Sequence, residues 1–334
     1  MSSYRVWLGH VTRDVRDLKR ALGDISIFTQ IDIPRQSRVI VKPNFTWPGW
    51  KPGVTTHPAL LAALAEFFVD YGNEVIFVES DGGMHSWKVE EAFAGHGLYT
   101  LEEKFGGKVR CLSLMQEDVQ MVGVFCWGKY SKVPVPRILL DSQKFFVTCP
   151  VLKTHCMTET SLAFKNQWGC LPDTYRLRFH HVLGKALVKL ADLVHVDLAI
   201  VDGLIALDGN GPMFGEPVDC DVLIGGADPG AVSRIACEVM GLRWWKSRVL
   251  RAAATRGKLP RLEDITTSQA YDNMLGRRFV SKKLLPNYAA IVIAYSRLLT
   301  WLFYLSPFRP IIASLKRRLF GSNEITRGKP QCPY

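Results

Sequence analysis

The sequence predicts an α/β fold: a mainly parallel sheet with helices on both faces, followed by a helical C-terminal extension. Three observations carry that expectation. Short β-branched runs alternate with apolar helical segments, polar motifs fall directly after the strand-like runs, and strand signals stop after Leu242. Strands separated by helices need crossover connections, which favours parallel pairing and a sheet covered on both faces.

The elements follow in order. Residues 1–36 read as a lead-in with helical tendency, closed by Pro34. Residues 38–42 form a β-branched run stopped by Pro43, as in a buried strand. Pro58 opens an alanine-rich helix to Tyr71, proline being favoured in a first helical turn. A strand over 74–78 ends at Glu79-Ser80-Asp81-Gly82-Gly83, and a helix spans 87–94. Strand-like runs follow at 109–112, 119–125 and 144–148, the last ended by Cys149-Pro150. A helix over 182–194 precedes strands at 197–201 and 221–224, and a helix covers 231–240. No internal repeat or low-complexity tract interrupts this order. The expected units are an α/β domain over 1–242 and a basic, apolar helical extension over 243–334.

Hydrophobic residues make up 48% of the chain and charged ones 22%, which excludes wholesale disorder. The net charge of +11 is unevenly placed: residues 243–329 hold 18 Lys/Arg against 4 Asp/Glu, so the remainder is slightly acidic. The eight cysteines include no CxxC pair, so their spacing offers neither a zinc ribbon nor a ferredoxin-type cluster. The first residues lack an apolar run, so a cytoplasmic protein is expected.

Chemistry is expected at the strand ends, since open parallel sheets bind ligands outside the carboxyl ends of their strands. Lys42-Pro43-Asn44, the 79–83 stretch, Pro150 to His155 and Asp202-Gly203 each follow a strand-like run, so four polar loops are expected on one rim. Lys42, Lys153 and Lys165 would neutralise a phosphate or carboxylate. Asn44, Thr56, Asn166, Asn210 and Gly211 would add hydrogen bonds or close backbone approach. His57, His155 and His180 would move protons, with Asp81 and Asp202 orienting them. No HxH or HExxH spacing fixes a metal, so metal binding stays open. Cys156, among apolar neighbours, reads as a small core residue.

The ordered motifs Lys42-Pro-Asn, Thr55-Thr-His-Pro58, Glu79-Ser-Asp-Gly-Gly83, Pro150-Val-Leu-Lys-Thr-His155, Phe164-Lys-Asn166, His180, Asp202-Gly-Leu, Gly209-Asn-Gly-Pro212 and Gly215-Glu-Pro217 make the chain resemble the domain of unknown function 362 family. The resemblance runs from about Arg38 to Leu242 and implies a shared α/β fold and a shared site, without a reaction. Many members carry ferredoxin-like iron–sulfur segments. This chain departs from them, so no built-in cluster is expected and the cofactor is left unknown.

The extension holds a 19-residue apolar segment, Tyr288 to Ser306, long enough as one helix to rise about 28 Å. Arg297 at its centre would cost about 2.5–3.5 kcal/mol in a span, and both flanks are basic. A shallow hairpin in the cytoplasmic leaflet is therefore expected through Tyr288 to Phe320, anchored by Tyr295, Trp301 and Tyr304. A helix packed on the α/β domain or in a dimer interface is the alternative, and oligomeric state is left open. The expected function is an enzyme acting on an anionic small-molecule or lipid-linked substrate, peripheral or monotopic at the inner membrane face. Alternatives are a non-catalytic ligand- or partner-binding module and a redox-associated protein working with an external iron–sulfur partner. Nucleic acid is not an expected partner, because the basic tail lacks interleaved base-stacking motifs.

Overall fold

Alternate residues of the short apolar runs point to opposite sides of a sheet, and this periodicity builds the molecule. Val39, Val41, Val75, Phe77 and Val147 belong to one buried cluster, while Ile40, Ile76, Val78 and Phe146 belong to another. The computed structural model describes residues 4–126 and 129–307. Its strands are β1 (Tyr4–His10), β2 (Arg38–Lys42), β3 (Glu74–Glu79), β4 (Val109–Ser113), β5 (Val119–Cys126), β6 (Lys129–Pro136), β7 (Lys144–Thr148), β8 (Val151–His155), β9 (Glu159–Thr160), β10 (Leu198–Asp208), β11 (Glu216–Gly226) and β12 (Ile265–Thr267). The main sheet runs β12-β1-β11-β10-β7-β2-β3-β4, with β8 and β9 branching from β10. Pairings are parallel except β1–β11, β10–β11 and β8–β9. An antiparallel hairpin, β5–β6, stands apart from the sheet.

Helices cover both faces. α1 (Val15–Thr29), α2 (Pro58–Asp70), α3 (Val89–Gly95) and α4 (Leu98–Lys104) bury their apolar residues on one side. α5 (Leu162–Asn166), α6 (Leu183–Val194), α7 (Pro229–Val239) and α8 (Arg248–Ala254) fill the other. The sheet order reverses at β2, which has β3 and β4 on one side and β7 and β10 on the other. The carboxyl end of β2 is therefore the crevice where a ligand site belongs.

The architecture agrees with the sequence expectation, and several boundaries differ. The lead-in contains β1, which pairs with β11 inside the sheet, before α1 begins behind the Asp14 cap. The stretch from Val151 to His155 is strand β8, because the chain re-pairs with β10 after β7 ends. Likewise Asp202 lies within β10, which continues to Asp208 as a partner of β11.

Strands also do not stop at Leu242, since β12 pairs with β1, and Val249, Leu250 and Ala253 of α8 are buried in the core. Of the helical extension expected after Leu242, residues 244–254 form only a short turn plus α8. The apolar segment is not one helix. α9 (Leu285–Tyr295) ends at Ser296, whose extended backbone caps α10 (Arg297–Thr300), and the chain turns by 100° there. Among the described residues no single helix is long and apolar enough to cross a membrane. The second limb of the expected hairpin, after Pro307, lies outside the described residues.

Candidate functional site

Lys42 ends β2 and Glu79 ends the neighbouring β3, so the parallel register brings opposite charges side by side. Lys42 Nζ lies 2.6 Å from Glu79 Oε2 and donates to the Pro43 carbonyl at 2.7 Å. The two side chains are 1% and 3% exposed. Burial pushes the Glu79 carboxyl above its usual range, although Lys42 beside it pulls the other way. Such a pair adds little net stability, but losing either partner would strand a buried charge at roughly 3–5 kcal/mol.

A polar lattice holds this corner. Asn166, at the end of α5, donates from Nδ2 to the Lys42 carbonyl at 3.0 Å and to Thr148 Oγ1 at 2.9 Å. Its Oδ1 accepts from Asn44 Nδ2 at 2.9 Å. Asn44 N donates to Thr56 Oγ1, which donates to the Cys149 carbonyl. Lys153 Nζ, from β8, donates to Asn44 Oδ1 and the Val54 carbonyl at 2.6 Å each, and to Thr46 Oγ1 at 3.1 Å. Burial, with Lys165 and Lys42 nearby, holds its pKa well below the usual lysine range.

These residues frame a cavity of about 70 Å³ whose lining includes Lys42, Asn44, Glu79, His155, Lys165, Asn166 and Arg176. Three cationic side chains face one carboxylate there. Arg176 donates to the Asp81 carbonyl at 2.9 Å, and burial lowers its pKa. No ion pair reaches Lys165 among the described residues. Burial and then the nearby Arg176 guanidinium bring its pKa down to about 8; Cys156 pulls upward, and Lys42 adds a smaller downward pull. His155 Nδ1 accepts from Met157 N at 3.1 Å, which leaves the ring proton on Nε2. Burial, followed by Lys165 and Lys153, keeps that ring neutral. Gly169 packs against the charge pair: a Cβ there would lie 2.3 Å from Glu79 Oε1 and 2.7 Å from Lys42 Nζ.

Of the residues expected at the site, Lys42, Asn44, His155, Lys165 and Asn166 line this cavity. Lys153 and Thr56 stand one layer behind and fix Asn44. The others have different partners. His57 caps α2, its Nδ1 accepting from Ala59 N, and its own N–H donates to Asp202 Oδ2 at 2.7 Å. Asp202 Oδ1 accepts from Leu204 N, so both carboxylate oxygens serve the backbone, and burial pushes the group up to about 6. Asp81 accepts from Lys88 Nζ and Val89 N, at the start of α3. His180 donates from Nδ1 to the Leu177 carbonyl and packs its ring on Trp168 and Tyr295. Burial and Lys165 bring it down to about 3.

Asn210 is not in the lining, and its buried Oδ1 has no partner among the described residues. Gly211 is not in the lining either; it packs on β8, where a Cβ would meet the Thr154 carbonyl at 1.9 Å. Glu79 enters the sequence reading only as part of the 79–83 rim stretch, without a role of its own, and Arg176 does not enter it. The strand-end position of Glu79, matching that of Lys42, could have pointed to it, whereas Arg176 sits in an irregular segment without periodicity. Among the described residues no group of three His, Cys, Asp or Glu side chains could hold a metal ion. Cys111, Cys149, Cys156, Cys170, Cys220 and Cys237 are free thiols.

The fold and this cavity define an α/β protein with a cation-rich pocket at the switch point of a mainly parallel sheet. The chain belongs to the family described as Domain of unknown function (DUF362), whose sequence profile matches residues 39–238. It is 26% identical over 250 residues to a thylakoid-associated protein of Synechocystis sp., covering 70% of this chain and 71% of that one. A solved structural-genomics protein of Thermotoga maritima superposes with a TM-score of 0.39 at 10% identity, covering 73% of this chain. The chain spans 59% of that protein's length.

Proposed function

We propose that the chain is an enzyme that binds an anionic substrate, small or lipid-linked, by a phosphate or carboxylate in the Lys42–Lys165–Arg176 cavity. The observation that carries this is Lys165, a largely enclosed amine without a carboxylate partner among the described residues, beside two further cations. An excess of buried positive charge is costly unless an anion completes it. The cavity of about 70 Å³ suits one oxyanion group, given the roughly 30 Å³ that each water takes in the liquid. The rest of the substrate would extend outward.

A pKa of about 8 gives Lys165 both the ammonium and the amine form near neutral pH, as proton-transfer work requires. Neutral His155 would donate from Nε2 to the same oxyanion. The thylakoid association in the relative's name, and the exposed apolar residues of α9 and α10, support work at the cytoplasmic face of a membrane.

Native mass spectrometry with elemental analysis of freshly purified protein tests this reading. A co-purifying phosphorus- or carboxylate-bearing species, lost in Lys165→Met, is the expected result. Protein that neither retains nor takes up any such anion would contradict it.

A further inference from the structure

We infer that a second site, an open basic groove at the foot of α9, seats the headgroups of anionic bilayer lipids. This deepens the membrane part of the proposed function and rests on it. The groove encloses about 510 Å³ and is lined by Glu159, Trp245, Lys246, Arg251, Ser281, Lys283 and Tyr288. Lys283 pairs with Glu159 at 3.2 Å, which consumes the one carboxylate. Lys246 and Arg251 are exposed, and no ion pair reaches either among the described residues. Ser281 Oγ is enclosed there without a hydrogen-bond partner among the described residues. The groove thus offers two uncommitted cations, a pair that a phosphodiester would neutralise.

What surrounds the groove selects the occupant. On α9 the exposed positions Leu285, Tyr288, Ala289 and Val292 recur at helical spacing, forming an apolar stripe turned outward. After the 100° bend, Leu298, Trp301 and Leu305 repeat the pattern. An apolar stripe with aromatic residues beside free cations matches the acyl–headgroup boundary of an anionic leaflet. A protein partner of opposite charge would not need two outward apolar stripes on bent helices, and a nucleic acid would leave them wet. Glu159 opposes His155 across the β8–β9 hairpin, so groove and oxyanion cavity share one structural wall. A lipid-linked substrate held at the leaflet would therefore lie within reach of the catalytic cavity.

Flotation of the full chain with vesicles of phosphatidylcholine alone, or mixed with phosphatidylglycerol, tests the assignment at low salt. The wild type is expected to float with the anionic vesicles. Lys246→Gln with Arg251→Gln should lower that partition by about tenfold or more, each lost charge weakening attraction to the leaflet. Leu285→Ser with Val292→Ser should abolish binding to either vesicle. Unchanged far-ultraviolet circular dichroism would establish that both variants fold.

Wild-type binding that the groove variant retains in full would overturn the groove while leaving the membrane reading intact. Failure of the wild type to float with either vesicle would overturn both. Binding to an oligonucleotide without binding to vesicles, lost in the groove variant, would also overturn the assignment.

Discussion

At the scale of residues, the site depends on a few contacts that leave no slack. Gly169 lies so close to the Lys42–Glu79 pair that one methyl group would occupy space held by the carboxylate and the ammonium. Gly169→Ala should therefore push the pair apart, costing about 1–3 kcal/mol in stability, as overpacking does. It should also weaken binding of inorganic phosphate, read by calorimetry; unchanged affinity would mean that the pair does not shape the cavity. Lys153 acts by positioning Asn44. Its removal leaves Asn44 Oδ1 without a donor, at roughly 1–3 kcal/mol for a buried orphan, while the Val54 carbonyl keeps Thr46 Oγ1. Lys153→Ala should accordingly weaken phosphate binding far more than Lys258→Ala, which removes only a surface pair with Asp192. Equal losses from the two would mean that only net charge matters.

At the scale of elements, what the sequence revealed and what it hid follow from burial. Strands β2, β3 and β7 were visible because interior parallel strands are continuous apolar runs. β8 lacks a strand-like apolar run because Lys153, Thr154 and His155 are polar, yet all three are buried, and Lys153 and Thr154 are satisfied by neighbouring segments. The same limit applies to His57 and Asp202, which serve backbone amides here. A carboxylate beside a strand end can serve a ligand or a backbone amide, and nothing in the local pattern distinguishes them. Lys42, Lys165 and Asn166 were legible because a polar group ending an apolar run is conspicuous.

Strand-like runs stop at Leu242 in the sequence because β12 is three residues long and too short to show a period. That short strand covers the outer edge of β1, and α8 buries Val249 and Leu250 against α6 and α7. A chain ending at Leu242 should therefore aggregate or lose cooperative unfolding, since it exposes a sheet edge and an apolar face. A soluble truncated protein with the full chain's melting temperature would contradict this.

At the scale of the whole molecule, buried neutral histidines should govern the acid limb of stability. Burial brings His57 and His96 down to about 4 and His180 to about 3, and it holds His155 well below 6.5. The unfolded chain protonates these rings near pH 6.5, whereas the folded chain does not until near pH 4. Their stabilisation is thus present above pH 6.5 and is lost as pH falls towards 4. The slope is roughly 1.4 kcal/mol per pH unit for each uncompensated proton. Asp202, pushed up to about 6, acts in the opposite sense between about 4 and 6. The carboxyls of Glu79 and Asp228, which burial also raises, act in that sense too, so the three offset part of the histidine slope. The urea midpoint should still fall between pH 7 and pH 5, and a flat or rising midpoint would contradict that balance.

Anion binding in the cavity depends on Lys165 being a partly neutral amine that awaits an anion. The direct measurement is a pH titration of its side-chain ε resonance by nuclear magnetic resonance, assigned with Lys165→Arg, with and without inorganic phosphate. Without phosphate the midpoint should lie near 8, set by burial and by Arg176 and Lys42. Phosphate should raise it, and phosphate affinity should weaken as pH rises above 8, by up to about tenfold per pH unit. A midpoint at the ordinary lysine value of about 10.4, unmoved by phosphate, would contradict the account.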